Sequence, residues 1–247
     1  MDFGFEDSNF LKGFEAEDNN PVIKITHEKA MGECHGIQFT KDGADHILKR
    51  SEAPSELLCG NKDWSECAVY AQDYMDSDYS LPLAAICSRF AFFNTIFLHG
   101  SFVEYNGDGI VFVGYSGVGK TTQARLWEKY LGAVPINGDK VFLRIIDNVV
   151  VGCGSPWKGS SEYRLNKKVP IKGIVVLNQA KENKIRRLSS LDCIKYFMPH
   201  VFFPHWDENC KVSALDTFNE ILEKTPVWLL ECKPDEESVV LTKEAVL

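Results

Sequence analysis

One short segment constrains this chain more than any other. Residues 114–121 read GYSGVGKT and fit the phosphate-binding loop pattern G-x-x-x-x-G-K-[ST] at every fixed position. An apolar strand pattern over 110–113 precedes the segment, and a helical pattern over 121–131 follows it. Strand, glycine-rich loop and helix in this order are the context that the motif requires. We therefore predict an α/β fold built around this loop.

The chemistry of the segment indicates a nucleotide site. Glycines let the backbone curl closely around phosphate oxygens, and the following helix turns its positive dipole end toward them. We expect Lys120 to reach the β- and γ-phosphates and Thr121 to hold Mg²⁺. The residues expected to bind ATP are Gly114, Tyr115, Ser116, Gly117, Val118, Gly119, Lys120, Thr121 and Thr122. The alternative is a glycine-rich turn that binds no nucleotide.

An acidic partner for the metal is expected in an unusual place. Many P-loop proteins use an acid at the end of a buried strand, but the strand predicted over 171–177 ends in Asn178. Asp139 instead follows the extended segment 134–138, just after the P-loop helix. There it would bind Mg²⁺ or accept the proton of a hydroxyl substrate. The alternative is an ordinary turn aspartate.

The pattern of the chain changes near residue 80. Short β-like runs at 22–27, 36–40 and 46–49 alternate with turn-forming residues before that point. Apolar spacing typical of a helix begins at residue 81 and continues to Ile96. We predict a small β-rich N-terminal lobe over 1–80 and a P-loop catalytic domain over 81–247.

The second part predicts an α/β core with mixed strands. Asn-Gly and Asp-Asn pairs mark two hairpins. The expected strands are 101–105, 109–113, 134–137, 141–146, 149–153, 171–177, 185–188 and 227–232. The expected helices are 81–96, 121–131, 190–198, 213–223 and a short one from 234.

Composition excludes several functional classes. The chain has 247 residues and a net charge of −8, with no basic stripe, so nucleic acid is not an expected partner. Its most apolar stretch, 81–98, contains Arg89 and Asn94, and no signal peptide pattern precedes it, so we expect a cytoplasmic protein without a membrane span. The eight cysteines form no C-x-x-C pair and suggest neither a zinc site nor a disulfide framework.

The motif order resembles a known family. His99-Gly100 stands 15 residues before Gly114, and the segment 136–140, Ile-Asn-Gly-Asp-Lys, follows the P-loop helix. This order and spacing resemble the catalytic domain of HPr kinase/phosphorylase, which shares its fold with ATP-dependent phosphoenolpyruvate carboxykinase. The resemblance covers the chain from about residue 81 and is most specific over 99–140. It implies a mixed-sheet P-loop core of that type, with ATP and Mg²⁺ as cofactors.

The resemblance also implies roles for single residues. His99 matches a histidine that faces the active centre, Lys120 and Thr121 match the phosphate and metal residues, and Asp139 matches one of two adjacent acids. The chain departs from the family at Gly138, which stands where the other acid would be. Asp139 must therefore act as base, as metal ligand or as both, and we do not carry over reverse phosphorolysis. HPr kinase forms hexamers, so the resemblance suggests a homo-oligomer.

Weaker patterns leave alternatives open. Ser155, Trp157 and Lys158 lie in a loop of small residues that could contact the substrate, although Trp157 could equally anchor the loop to the core. His99 could simply cap a helix C-terminus. Further residues with a functional and a merely structural interpretation are Glu162, Arg164, Arg186, Arg187, His200, His205 and Cys210.

Together these patterns predict a kinase. The expected reaction is ATP- and Mg²⁺-dependent transfer of the γ-phosphoryl group to a hydroxyl, with Asp139 accepting the proton and Lys120 and His99 facing the phosphates. The acceptor would be a serine of a protein, a peptide or a small molecule. The alternatives are a module that senses nucleotide state and an ATPase stimulated by a partner.

Overall fold

The computed structural model describes residues 23–29, 44–50, 53–71 and 80–247. Contacts divide the chain into two compact units, one of residues 1–93 with 204–212 and the other of residues 94–203 with 213–247. Contacts thus group residues 81–93 with the first unit, while the expected domain boundary at residue 80 stays a prediction. The β-like run at 36–40 lies outside the described residues.

The first unit contains a four-stranded sheet in the order β1-β4-β3-β2. Its strands are β1 (Lys24–Lys29), β2 (His46–Arg50), β3 (Ala53–Gly60) and β4 (Glu66–Ala71), and helix α1 (Ser80–Ala91) belongs to the same unit. β1 runs parallel to β4, and the other pairs are antiparallel. β3 was not expected because its consecutive apolar residues Leu57, Leu58 and Cys59 are all buried and show no alternation of period two.

The second unit is built on a nine-stranded mixed sheet, which confirms the prediction of an α/β core with mixed strands. Its strands are β5 (Thr95–Tyr105), β6 (Asp108–Val113), β7 (Val134–Asn137), β8 (Lys140–Ile146), β9 (Val149–Cys153), β10 (Lys168–Gln179), β11 (Lys184–Arg187), β12 (Val201–Phe202) and β13 (Val227–Cys232). Its helices are α2 (Lys120–Leu131), α3 (Ser190–Tyr196), most of α4 (Glu208–Lys224) and α5 (Glu236–Val246), with a 3-10 turn at Met198–His200.

Two long strands organise this sheet. The first half of β5 pairs with β8, and its second half pairs with β6 on one edge and β7 on the other. β10 pairs with β9 at its start and then runs parallel to both β6 and β13. Consequently β6, β10 and β13 end at the same edge of the sheet, and the glycine-rich segment begins there.

Helix α1 is shorter than the sequence predicts. The expected helix over 81–96 ends at Ala91, because Asn94 adopts a left-handed backbone with φ of 50°. Thr95 then starts β5, where β-branched and aromatic side chains fit better than in a helix. His99 therefore lies within a strand, and the suggestion that it caps a helix is wrong.

The other helices follow their predictions, with shifted ends. α3 begins after Ser189, whose hydroxyl accepts from the amide of Asp192, and α5 begins after Asp235, which caps Ser238 in the same way. α4 starts five residues earlier than residue 213, where Asp207 accepts from the amide of Cys210. Within the described part of the chain, no helix is long and apolar enough to span a bilayer.

The core of the second unit holds the glycine-rich segment between rigid elements. Trp127 and Ala124 of α2 are buried with Phe112 of β6, Val175 of β10 and Leu230 of β13 in one apolar cluster. Burial of such large side chains contributes about 1.5–3 kcal/mol each, so both ends of the segment are fixed by packing.

Candidate functional site

Residues 114–119 connect β6 directly to α2, so the strand and helix predicted around the motif are present. Gly114 has a φ of 152°, and a Cβ there would lie 2.8 Å from Val118 Cγ1 and 3.2 Å from the carbonyl oxygen of Leu177. Gly119, with φ of 113°, opens the helix in a left-handed conformation. The segment thus requires glycine at these positions to turn as sharply as it does.

Lys120 folds back over this segment. Its side chain is 7% exposed, and Nζ donates hydrogen bonds to the carbonyl oxygens of Gly114, at 3.0 Å, and Tyr115, at 3.1 Å. The Ser101 hydroxyl in β5 donates to the Lys120 carbonyl at 2.7 Å, which ties the start of α2 to the central sheet. Burial lowers the pKa of Lys120, and the nearby Asp139 carboxylate opposes that shift.

The structure brings His99, Thr121 and Asp139 together beside the loop. Asp139 Oδ1 lies 3.4 Å from His99 Nε2, and the Gly100 amide donates to the Asp139 carbonyl at 2.9 Å. The Thr121 hydroxyl donates to the carbonyl of Gly138 at 3.3 Å. Pairing of β5 with β8 places His99 opposite Lys140, so the sheet register itself sets this arrangement. The proximity expected from spacing alone is therefore present.

The His99 imidazole lies in an environment that disfavours its charge. Partial burial lowers the pKa of His99, the positive charge of Lys120 lowers it further, and Asp139 acts in the opposite direction. The surroundings therefore favour the neutral imidazole, in which one nitrogen accepts a hydrogen bond and the other donates one.

Asn137 organises the turn that carries Asp139, a role that the sequence analysis missed. Its side chain is fully buried, and Oδ1 accepts from the amides of Asp139 and Lys140, each at 2.9 Å. Nδ2 donates to the carbonyls of Ser155, at 2.8 Å, and Trp157, at 3.0 Å. One amide group therefore joins the turn between β7 and β8 to the loop after β9. The sequence signal that could have indicated this role is the position of Asn137 two residues before Asp139.

The loop of small residues lies against Gly138. A Cβ at position 138 would lie 1.9 Å from Ser161 Oγ, and the Ser161 hydroxyl itself donates to the Lys158 carbonyl at 2.7 Å. A Cβ on Gly159, which has φ of 58°, would lie 2.9 Å from Cγ of Asp139. The space for an acidic side chain at position 138 is thus filled by Ser161.

The three residues proposed as a substrate loop differ in exposure. Ser155 is buried, and its hydroxyl donates to the carbonyl of Lys140 at 2.6 Å. Trp157 is buried as well and packs edge-on against Phe142, with 6.4 Å between ring centroids. Lys158 is exposed. Trp157 thus anchors the loop, and contact of Lys158 with a substrate stays a prediction.

His200 lies close to the site, although the sequence suggested only packing or metal binding. It is 8% exposed and meets the ring of Tyr115 edge-on, with 5.0 Å between centroids. Burial lowers the pKa of His200, and the charges of Lys120 and His99 lower it further. His205 and Cys210, by contrast, belong to the first unit.

Three of the four remaining charged candidates lie at the surface, and Arg164 is half-buried. Arg186 lies in β11, the edge strand of the large sheet, and pairs with Asp192 at 2.9 Å. Arg187 and Glu162 are exposed. Arg164 forms a backbone bridge with Asn137.

The donor atoms near Asp139 suit magnesium. Among the described residues, no group of three or more His, Cys, Asp or Glu side chains gathers to hold a metal ion. Mg²⁺ instead commonly binds one or two protein oxygens together with substrate phosphates and waters. The Thr121 hydroxyl contacts the Gly138 carbonyl, and the Asp139 carboxylate belongs to the next residue. These two side chains would be the one or two protein oxygen ligands of such a Mg²⁺ site.

Comparison with known proteins assigns no family. No protein-family model matches the chain, and no curated protein matches its sequence. Among solved structures, the HPr(Ser) kinase/phosphatase from Coxiella burnetii is similar over 60% of this chain and 93% of its own, with 9% sequence identity and a TM-score of 0.36. The resemblance to HPr kinase and the P-loop core of that type therefore stay predictions.

Proposed function

We propose that this protein is an ATP-dependent phosphotransferase that moves the γ-phosphoryl group to a hydroxyl. The observation that carries the proposal is the convergence of Lys120, Thr121, His99 and Asp139 at the mouth of the glycine-rich loop. These side chains come from three separate segments of the sequence. The set combines a cation for phosphate, oxygen ligands for a metal and a carboxylate able to accept a proton.

Binding and orientation come from the loop and Lys120. The Lys120 ammonium would exchange its two carbonyl acceptors for phosphate oxygens, which carry more negative charge. Mg²⁺, held by Thr121 and Asp139, would neutralise part of the triphosphate charge. Positioning and electrostatic stabilisation supply most of the rate in phosphoryl transfer, so the fixed ends of this loop matter directly.

Proton transfer falls to Asp139. As the acceptor oxygen forms its bond to phosphorus and the bond to the β-phosphate oxygen breaks, the Asp139 carboxylate takes the hydroxyl proton. His99, 3.4 Å away, orients that carboxylate or the phosphoryl oxygen. Gly138 leaves no second acid beside Asp139, so this one residue serves both proton and metal.

The acceptor is proposed only as a class. A serine of a protein, a peptide or a small molecule would each present a hydroxyl, and the exposed Lys158 at the edge of the site favours an anionic neighbour. We further propose that the chain acts as a homo-oligomer, which sedimentation of the full chain would test. We also propose that it is located in the cytoplasm.

The direct test follows the label of γ-labelled ATP with Mg²⁺ in a lysate of the host. Wild type is compared with Lys120→Ala, Asp139→Asn and the control Lys172→Ala, an exposed lysine of β10. We expect label on a discrete protein, peptide or metabolite, with losses of about 100-fold or more in the first two variants and no loss in the control.

Other outcomes would replace the proposal. Label released only as free phosphate, with a rate that rises when lysate is added, would indicate an ATPase driven by a partner. Binding of ATP without any release or transfer of label would indicate a module that senses the nucleotide.

A further inference from the structure

A second lysine, Lys140, lies beside the reacting groups, and the proposed mechanism gives it no role. Its Nζ is 3.8 Å from Asp139 Oδ2, while His99 Nε2 lies 3.4 Å from the other carboxylate oxygen, Oδ1. The two oxygens of Asp139 therefore face different partners, an ammonium group and an imidazole. A separation of 3.8 Å makes Lys140 an ion-pair neighbour of Asp139 but is too long for a hydrogen bond.

Two buried side chains hold the backbone of Lys140 in place. Asn137 Oδ1 accepts from the Lys140 amide at 2.9 Å, and the Ser155 hydroxyl donates to the Lys140 carbonyl at 2.6 Å. Asn137 is 0% and Ser155 is 1% exposed, so both bonds are shielded from water. Lys140 thus extends from a fixed backbone position, which is what a precisely placed functional group requires.

Strand pairing directs the Lys140 side chain to the face of the sheet that carries the reacting groups. Lys140 of β8 is paired directly with His99 of β5, and directly paired residues extend from the same face. The next pair on that face is Phe142 and Phe97, two buried rings with 5.1 Å between their centroids. Electrostatic attraction is stronger beside such apolar groups than in water.

The Lys140 ammonium keeps its hydrogen-bonding capacity free. Its side chain is only 22% exposed, yet among the described residues no oxygen accepts a hydrogen bond from Nζ. A mostly buried ammonium group whose donors are unused has a strong tendency to bind an anion that enters the site. The positive charge also acts on the neighbouring imidazole, because it lowers the pKa of His99.

The proposed reaction brings such an anion to this position. A hydroxyl that gives its proton to Asp139 lies within about 2.6–3.2 Å of that carboxylate, with the phosphorus on its far side. Negative charge is then spread over the three outer oxygens of the transferred phosphoryl group. As Asp139 takes the proton it loses its own charge, so its attraction for Lys140 falls. The flexible lysine side chain can then turn to the phosphoryl oxygens.

We infer that the Lys140 ammonium contacts the transferred phosphoryl group and stabilises its negative charge during the passage from ATP to the acceptor hydroxyl. Lys140 is thus a catalytic residue in addition to Lys120, which holds the phosphates of ATP before the reaction. This inference rests on the proposed function, because it takes the γ-phosphate to lie beside Asp139.

The test uses ADP and Mg²⁺ with aluminium fluoride, which occupies the place of the transferred phosphoryl group and imitates its planar shape. Equilibrium dialysis of labelled ADP against the full chain gives the affinity with and without aluminium fluoride. Lys140→Gln removes the charge and Lys140→Arg keeps it. The matched control is Lys224→Gln in α4, because Lys224 is 23% exposed and pairs with Glu220 at 3.5 Å.

Each protein has its own expected result. Aluminium fluoride should tighten ADP binding about 100-fold in wild type and about 10-fold or less in Lys140→Gln, which lacks one charged contact to the transition state. Lys140→Arg and Lys224→Gln should keep the wild-type gain. All four proteins should bind ADP alone equally well, because ADP lacks the transferred group. The urea midpoint of Lys140→Gln should stay close to that of wild type, since Asn137 and Ser155 bind only the backbone of residue 140.

The outcomes separate the inference from the proposed function. An equal gain from aluminium fluoride in wild type and Lys140→Gln would overturn the role of Lys140 and leave phosphotransfer intact. Weaker binding of ADP alone by Lys140→Gln, by the same factor, would also overturn it, because the lysine would then act on the bound nucleotide. Wild type that does not bind ADP, or whose ADP binding is not tightened by aluminium fluoride, would overturn the proposed phosphotransfer and the inference with it.

Discussion

At the scale of single residues, the missing side chain at position 138 shapes the site as much as its charged groups do. Ser161 Oγ fills the space where a Cβ of residue 138 would lie, and the Ser161 hydroxyl is held by the Lys158 carbonyl. Because Gly138 and Ser161 are both buried, neither can move into solvent to relieve a clash. Asp139 is consequently the only acid that this turn can present.

Gly138→Ala should therefore be destabilising. The added methyl would meet Ser161 Oγ at 1.9 Å, and overpacking of this kind costs about 1–3 kcal/mol. We expect a lower urea midpoint for Gly138→Ala and recovery of most of the loss in the double variant with Ser161→Gly. A double variant no more stable than Gly138→Ala would contradict the clash as the cause.

His200 should make the stability of the second unit sensitive to pH. Its pKa in the folded protein lies below the ordinary value near 6.5, so the unfolded chain binds the proton more readily. The free energy of unfolding should thus fall as the pH drops through 6.5 toward the folded pKa, with no such effect above that window. In His200→Asn this fall should be smaller, because the contribution of His200 is gone, but it should not vanish, because the pKa of His99 is lowered as well.

Urea unfolding of wild type and His200→Asn at pH 8 and pH 5 checks this prediction. The stability difference between the two proteins should change in favour of the variant at the lower pH. An identical pH dependence in both proteins would show that His200 does not resist protonation.

At the scale of elements, Asn137 connects the end of β7, the start of β8 and the loop after β9. The hydrogen bonds of its buried side chain all go to neighbouring backbone groups or to Ser155. Apart from the backbone bridge between Asn137 and Arg164, no pairing among the described strands supplies this connection. The position of Asp139 thus depends on the Asn137 side chain, which accepts a hydrogen bond from the Asp139 amide.

Asn137→Ala should remove about 3 kcal/mol of unfolding free energy, because several buried backbone groups would lose their partners. The matched control, Asn178→Ala at the exposed end of β10, should change stability by less than about 0.5 kcal/mol. Label transfer should also fall in Asn137→Ala under conditions where the variant is folded. Equal stability of the two variants would contradict the role given to Asn137.

At the scale of the whole molecule, burial makes most thiols unreactive. Of the eight cysteines in the sequence the structure describes seven, and none of those seven is exposed. Burial raises the pKa of Cys59 to about 11 and those of Cys67 and Cys210 to about 12. These thiols serve as small apolar side chains of the core.

Native protein should therefore react slowly with a disulfide reagent at pH 8. A thiol pKa near 11 in place of 9 makes the thiolate fraction about 100-fold smaller, and Cys59, Cys67 and Cys210 should form the slowest class. In guanidinium chloride all eight thiols should react in one fast phase. Equal rates in native and unfolded protein, followed by mass spectrometry of each site, would contradict this assignment.

Local patterns predicted much of the fold. Both hairpins, the glycine-rich connection from β6 to α2 and the strands β10 and β13 follow from apolar spacing and turn residues that act over a few positions. Errors arose where neighbours in space decide the outcome. Thr95 and Ile96 fit a helical pattern, yet pairing with Arg144 and Leu143 of β8 makes them strand residues.

By itself, the sequence predicted the sharp glycine-rich turn between β6 and α2, because a motif of contiguous residues needs only its own backbone to turn. It also indicated that His99 and Asp139 would flank that loop, through their spacing around it. Tertiary structure alone decided that Asn137 holds the turn and that Ser161 excludes a side chain at 138. Each of these depends on contacts between distant segments, and such contacts leave no mark in local spacing.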